Sequence, residues 1–143
     1  MSVEDILRKK GADVATIAPD VSVRRAADWL HAKNIGSLVV ARDGAVLGLI
    51  SEREIVHAIA RHGDDATAMP VSEFMRRGVI AVSPAESVSH VMNLMTRHRV
   101  RHMPVVADGK LVGIISIGDV VKYRLDDLEL ENNVLRDVYI AAR

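Results

Sequence analysis

Two long stretches of this chain carry the same succession of apolar and polar positions. TIAPDVSVRRAADWLHAKNIGSLVVARDGAVLGLISEREIV (16–56) and AVSPAESVSHVMNLMTRHRVRHMPVVADGKLVGIISIGDVV (81–121) align without a gap. Pro19 and Pro84, Ser22 and Ser87, Gly44 and Gly109, and Ser51 and Ser116 all stand 65 positions apart. In each copy a short apolar run (about 15–18, and 79–82) leads through a proline turn to a serine placed to cap a helix. Val23, Ala26, Ala27 and Leu30 then fall at i, i+3, i+4 and i+7, as do Val88, Val91, Met92 and Met95, which is the stripe of an amphipathic helix. Two aliphatic runs follow, SLVVA and VLGLIS in the first copy, HMPVVA and LVGIIS in the second, split by Asp43-Gly44 or Asp108-Gly109. Asp-Gly between such runs predicts a tight hairpin, because both central residues of a type I′ turn need positive φ. The second run of each copy ends in Ser-x-x-Glu or Ser-x-x-Asp and opens another helix. The predicted unit is therefore strand, helix, strand, strand, helix.

A period this long, occurring twice, does not suit a solenoid, where several short units must stack to bury a continuous core. Two larger units packed face to face suit it, and clefts between such units are common ligand sites. VEDILRKKG (3–11) and VSEFMRRG (71–78) resemble each other and predict a short amphipathic helix ahead of each copy. The expected organisation is a first repeat with its lead-in over 3–62, a polar, turn-rich linker over 63–70, a second repeat over 71–125 and a helical extension over 126–143. Within that last helix Val121, Leu125, Leu128, Asn132, Leu135 and Tyr139 are spaced alternately by four and three. This is a heptad seam with an asparagine in a core position, a device that can fix the register of a dimer; a helix folded back on its own domain would show the same stripe.

Composition narrows the function. Hydrophobic residues make up 49% of the 143 but aromatic ones only 3%, so the core is aliphatic. Basic and acidic residues balance at 19 each, which leaves no global field to attract nucleic acid or an anionic membrane. No apolar run approaches the roughly 20 residues of a membrane span, and MSVEDILRKKG lacks a signal-peptide core, so a soluble, cytoplasmic protein is expected. Cysteine is absent, which removes disulfides and thiolate metal sites. His98 and His102 have helical metal-pair spacing, but the intervening Val100–Pro104 reads as an exit from helix into strand, which breaks the shared face; no metal is expected. No serine elbow or poised histidine suggests catalysis. The basic stretch 97–102 has no aromatic residue for stacking bases, so no nucleic-acid partner is expected.

The Pro-x-x-Ser-Val at the front of each copy, the His102-x-Pro104-Val105 of the second and the closing Gly113-h-h-Ser116-x-x-Asp119 (h is hydrophobic), in that order, resemble the paired CBS domain, the module named for cystathionine beta-synthase. The resemblance runs from about residue 3 to 125. It implies an α+β fold of two βαββα repeats about a pseudo-twofold axis, with an N-terminal and a long C-terminal helix. It also implies a non-enzymatic regulatory module that binds an adenine nucleotide (AMP foremost, or ADP, ATP or NAD) between the copies, forms a homodimer and acts on an effector protein.

Ser116, at a strand end, and Asp119, in the first turn of the next helix, place a hydroxyl and a carboxylate beside free backbone N–H groups; these suit phosphate and the two hydroxyls of a ribose. The same Ser-x-x-acid is also a capping box that needs no ligand. The first copy has Glu54 where the family has aspartate. The second has Arg97, His98, Arg99, Arg101 and His102 where the first has Ala32, Lys33, Asn34, Gly36 and Ser37. The expectation is one competent site in the second copy: Ser116, Gly118 and Asp119 at the helix start, Arg99, Arg101 or His102 near phosphate, and Val82, Met103, Pro104 and Val105 as an apolar wall around adenine. The pseudo-twofold of the family adds Arg53, which could reach that phosphate from the first copy, though it could equally pair within its own helix. The alternative function is an interaction or dimerisation module with a vestigial ligand site.

Overall fold

The computed structural model describes residues 1–141. Its elements follow the repeat: α1 (Val3–Lys10), β1 (Thr16–Ile17), α2 (Val23–Lys33), β2 (Ser37–Arg42), β3 (Ala45–Ser51), α3 (Glu52–His62), 3-10 turns over Gly63–Ala68 and Val71–Glu73, then α4 (Val88–His98), β4 (His102–Ala107), β5 (Lys110–Ser116) and α5 (Ile117–Ala141). Ser22 and Ser87 cap α2 and α4, each hydroxyl accepting from the backbone N–H three residues on, at 3.2 and 3.1 Å. The hairpins β2–β3 and β4–β5 turn on Asp43-Gly44 (φ 52° and 81°) and Asp108-Gly109 (52° and 75°), the paired positive φ that Asp-Gly supplies.

The copies differ in their first strand. In copy one β1 runs parallel to β2, and Val39 donates its N–H to the Ala15 carbonyl at 3.1 Å. The equivalent of Val39 in copy two is Pro104, which has no N–H to give. Only a single parallel bridge from Val82 to Val105 remains there, so the expected strand over 79–82 is reduced to one residue.

The lead-ins are exchanged. Val3, Ile6 and Leu7 of α1 join a core with Val82, Val88, Val91, Met95, Met103, Ile115 and Tyr123 of copy two. Val71 and Met75 join Ile17, Val23, Leu30, Leu38, Ile50 and Ile55 of copy one. Backbone bonds secure both: Val3 N–H to the Glu86 carbonyl at 2.9 Å, and Val71 N–H to the Val21 carbonyl at 2.8 Å. The second lead-in is not the expected helix. After its 3-10 turn the chain runs against β3, with Leu49 and Arg76 exchanging backbone bonds of 3.1 and 2.8 Å. Gly48 allows that approach, for a Cβ on it would lie 2.7 Å from the Arg76 carbonyl oxygen.

Candidate functional site: two clefts about the pseudo-twofold

Both Ser-x-x-acid motifs form the predicted reciprocal cap. Ser116 donates its N–H to Asp119 Oδ2 at 2.9 Å, and Asp119 returns its N–H to Ser116 Oγ at 3.1 Å. In copy one Ser51 donates its N–H to Glu54 Oε2 at 2.8 Å, and its hydroxyl bonds the same carboxylate. Each acid also takes a cation from the exchanged lead-in. Lys10 Nζ contacts Asp119 Oδ2 at 2.5 Å, and Arg76 lies 3.8 Å from Glu54. Burial, the largest influence on Asp119, pushes its pKa up; hydrogen bonds from Lys10 and Ser116 together outweigh it and hold the carboxyl below the ordinary aspartate value.

Two clefts open on the serines of these motifs, with the acids set behind them; Asp119 lines a separate pocket of about 170 Å³ with Lys10, Lys122, Tyr123 and Asp126. The Ser116 cleft has a volume of about 590 Å³. Its apolar lining is Val14, Ala15 and Ile35 from copy one with Ile114 from copy two, and its polar lining includes Lys10, Asp13, Lys33, Ser37, His102 and Ser116. The Ser51 cleft has two lobes of about 400 and 360 Å³ that share Leu49, Arg53, Arg76, Arg99 and His102. Val79, Ile80 and Val100 line one lobe, the counterparts of Val14, Ala15 and Ile35, while Ser51, Glu52 and Arg101 line the other. One rule builds both clefts: the motif of one copy faces the first strand and helix exit of the other.

That rule redistributes the residues expected at Ser116. Val82, Met103 and Val105 are at most 3% exposed inside the second core, and Pro104 is buried in β4. They build the copy and line neither cleft; the wall facing Ser116 comes from copy one. Arg99 and Arg101, at the exit from α4, join Arg53 and Arg76 on the Ser51 side. The arginines at the α4 exit and the aspartate motif therefore fall on different clefts, against the expectation that both belong to one. His102 alone among the expected basic residues lines both clefts. Burial foremost, and then neighbouring Lys10, lower its pKa, while Asp119 acts in the opposite direction. Gly118 is exposed in the first turn of α5, and a Cβ there would meet Ser116 Oγ only at an ordinary 3.6 Å. Lys10, Asp13, Val14, Ala15, Lys33, Ile35, Ser37 and Ile114 are additions. Both lead-ins end in a basic pair before glycine, Lys9-Lys10-Gly11 and Arg76-Arg77-Gly78, a repeated feature that marks Lys10 without saying which copy it faces.

Exchanged lead-ins, two βαββα copies and a helix-capping Ser-x-x-acid on each cleft define a class of paired module that can bind small ligands between its halves. The chain belongs to the CBS domain family: the family model described as CBS domain matches residues 3–61 and 71–126. It is 31% identical over 118 residues to the CBS domain-containing protein YhcV of Bacillus subtilis, covering 82% of this chain and 81% of that one. The CBS-domain containing protein ATU1752 from Agrobacterium tumefaciens shares 46% identity with a TM-score of 0.83, over 87% of this chain and 99% of that one. The CBS domain pair of MJ0100, solved in complex with 5′-methylthioadenosine and S-adenosyl-L-methionine, shares 28% identity with a TM-score of 0.79, over 89% and 98%. Among the described residues no helix is long and apolar enough to cross a membrane, and no group of three His, Cys, Asp or Glu could hold a metal.

Proposed function

We propose that the chain is a non-enzymatic sensor that binds an adenine nucleotide in the Ser116 cleft and, as a homodimer, passes its state to an effector protein. The observation that carries this reading is Asp119, a partly buried carboxylate bound to Ser116 and Lys10, both of which line a cleft with apolar walls. Adenine fits between Val14, Ala15, Ile35 and Ile114. Its ribose hydroxyls donate to Asp119, which exchanges the Lys10 ammonium for them. Lys10, Lys33 and His102 are then the donors nearest the phosphates, and beyond His102 the arginines of the Ser51 cleft continue the positive path. The adenosyl ligands of the MJ0100 pair support an adenosine-recognising cleft. Glu54, bound by Ser51 and Arg76, sits where the second cleft would need a ribose acceptor.

A metabolite sensor needs affinity in the micromolar to millimolar range, about 8 to 4 kcal/mol. Signalling further requires the ligand to favour one state, typically by about 1 to 3 kcal/mol. A thermal-shift series with AMP, ADP, ATP, NAD and S-adenosylmethionine tests the reading. At least one should raise the melting temperature with saturating concentration dependence; no shift with any of the five would refute it.

A further inference from the structure

Beyond Tyr123, α5 leaves the body of the protein. Every described residue from Leu128 to Ala141 is exposed. Val121, Leu125, Leu128, Leu135 and Tyr139, the apolar members of the heptad seam, are between 42 and 66% exposed, so the helix does not fold back to cover them. A helical segment this short is marginal in water without packing. We propose that a second copy of this chain covers the seam, in a parallel, in-register, two-stranded coiled coil of the two α5 helices. This rests on the homodimer of the proposed function, whose interface and orientation it names, and does not depend on the ligand.

Charge selects both partner and orientation. With Leu125, Asn132 and Tyr139 at a and Val121, Leu128 and Leu135 at d, the e positions hold Lys122, Glu129 and Arg136, and the g positions hold Arg124, Glu131 and Val138. In a parallel pair each g residue meets the e residue of the next heptad across the seam. Arg124 then meets Glu129, and Glu131 meets Arg136, both pairs of opposite sign. In an antiparallel pair centred on the same residues, e faces e and g faces g. Glu129 and Glu131 would each meet their own kind, and Lys122 would meet Arg136. Asn132 agrees with the parallel choice, since it meets its own amide across the axis and can bond it, whereas the antiparallel pairing sets it against a leucine. Among the described residues Glu129, Glu131 and Arg136 have no ion pair within the chain, and Arg124 has only Asp127 at 3.4 Å. Leu130 and Val134 lie away from the seam, so a larger assembly is the competing outcome that the size measurement must exclude.

Sedimentation of the full chain, with and without charge changes, tests this. The wild type should sediment as a dimer at micromolar concentration, Glu131→Arg should weaken the dimer about tenfold or more by opposing Arg136, and Glu131→Arg with Arg136→Glu should restore it. Because the chain has no cysteine, Leu128→Cys gives a unique thiol. Under mild oxidation it should cross-link to itself nearly completely, as among two-stranded pairings only the parallel, in-register one brings those positions together. A monomer, a trimer or larger species, a dimer indifferent to Glu131→Arg, or a dimer whose Leu128→Cys form does not cross-link would each overturn the proposal.

Discussion

Gly48 and Gly113 occupy equivalent places in the two hairpins, yet the same substitution should cost different amounts in them. A Cβ on Gly48 would meet the Arg76 carbonyl oxygen and Met75 Sδ, each at 2.7 Å. The carbonyl is backbone, and it already accepts from Leu49 N–H at 3.1 Å, so relief requires moving the segment that carries Arg76 to Glu54. Overpacking costs about 1–3 kcal/mol, and straining one backbone hydrogen bond adds about 1 kcal/mol. For Gly48→Ala the expected loss is about 2–4 kcal/mol, or about 6–12 °C at roughly 3 °C per kcal/mol for a domain of this size. On Gly113 the Cβ would lie 2.7 Å from Leu7 Cδ2 and 3.0 Å from its Cδ1, the far end of a side chain that can shift. A displaced rotamer costs about 0.5–1.5 kcal/mol, so Gly113→Ala should lower the melting temperature by only about 2–5 °C. Thermal unfolding of both variants, followed by circular dichroism, decides the matter. Equal losses, or a larger loss in Gly113→Ala, would show that the backbone approach of the second lead-in is not what Gly48 protects.

Three further outcomes follow from the clefts. Lys10→Ala should leave the fold intact but weaken nucleotide binding at least severalfold, since the cation nearest Asp119 is gone; calorimetric titration would read it, and unchanged affinity would remove Lys10 from the site. The Asp119 pKa is depressed in the folded chain, so its stabilising contribution is complete above the unfolded value near 3.9 and is lost as pH falls through the lower, folded value. Urea unfolding between neutral pH and about pH 3 should therefore show a steeper acid loss in wild type than in Asp119→Asn; parallel curves would contradict the linkage. Replacing both Arg99 and Arg101 by glutamine should weaken ATP binding more than AMP binding, because only the longer phosphate chain can pass His102 into the Ser51 cleft. Equal losses for the two nucleotides would place the phosphates elsewhere.

The fold was legible because its determinants are local and occur twice. Serine caps, the 3.6-residue stripes of α2 and α4, and the Asp-Gly turns each act within a few residues of themselves. The site was legible only in part, because it is assembled across the pseudo-twofold. Aligning the copies correctly paired Asp119 with Glu54, but reading each copy alone set Arg99 and Arg101 beside Ser116 when they face Ser51. Apolar character marked Val82, Met103 and Val105 as a wall without saying which face of β4 is open, and in the structure both faces are covered. The role of Lys10 depends on the exchange of lead-ins, a packing choice that no local pattern encodes. Loss of the strand over 79–82 could have been read from Pro104, whose missing N–H is a local fact with a partner distant in sequence.

In the proposed function the Ser116 cleft holds an adenine nucleotide by way of Asp119. Calorimetric titration of ATP into wild type, Asp119→Ala and Glu54→Ala tests it most directly. Wild type should give a saturable heat, Asp119→Ala should lose it and Glu54→Ala should keep near-wild-type affinity. Equal loss in the two variants, or undiminished binding in Asp119→Ala, would contradict it.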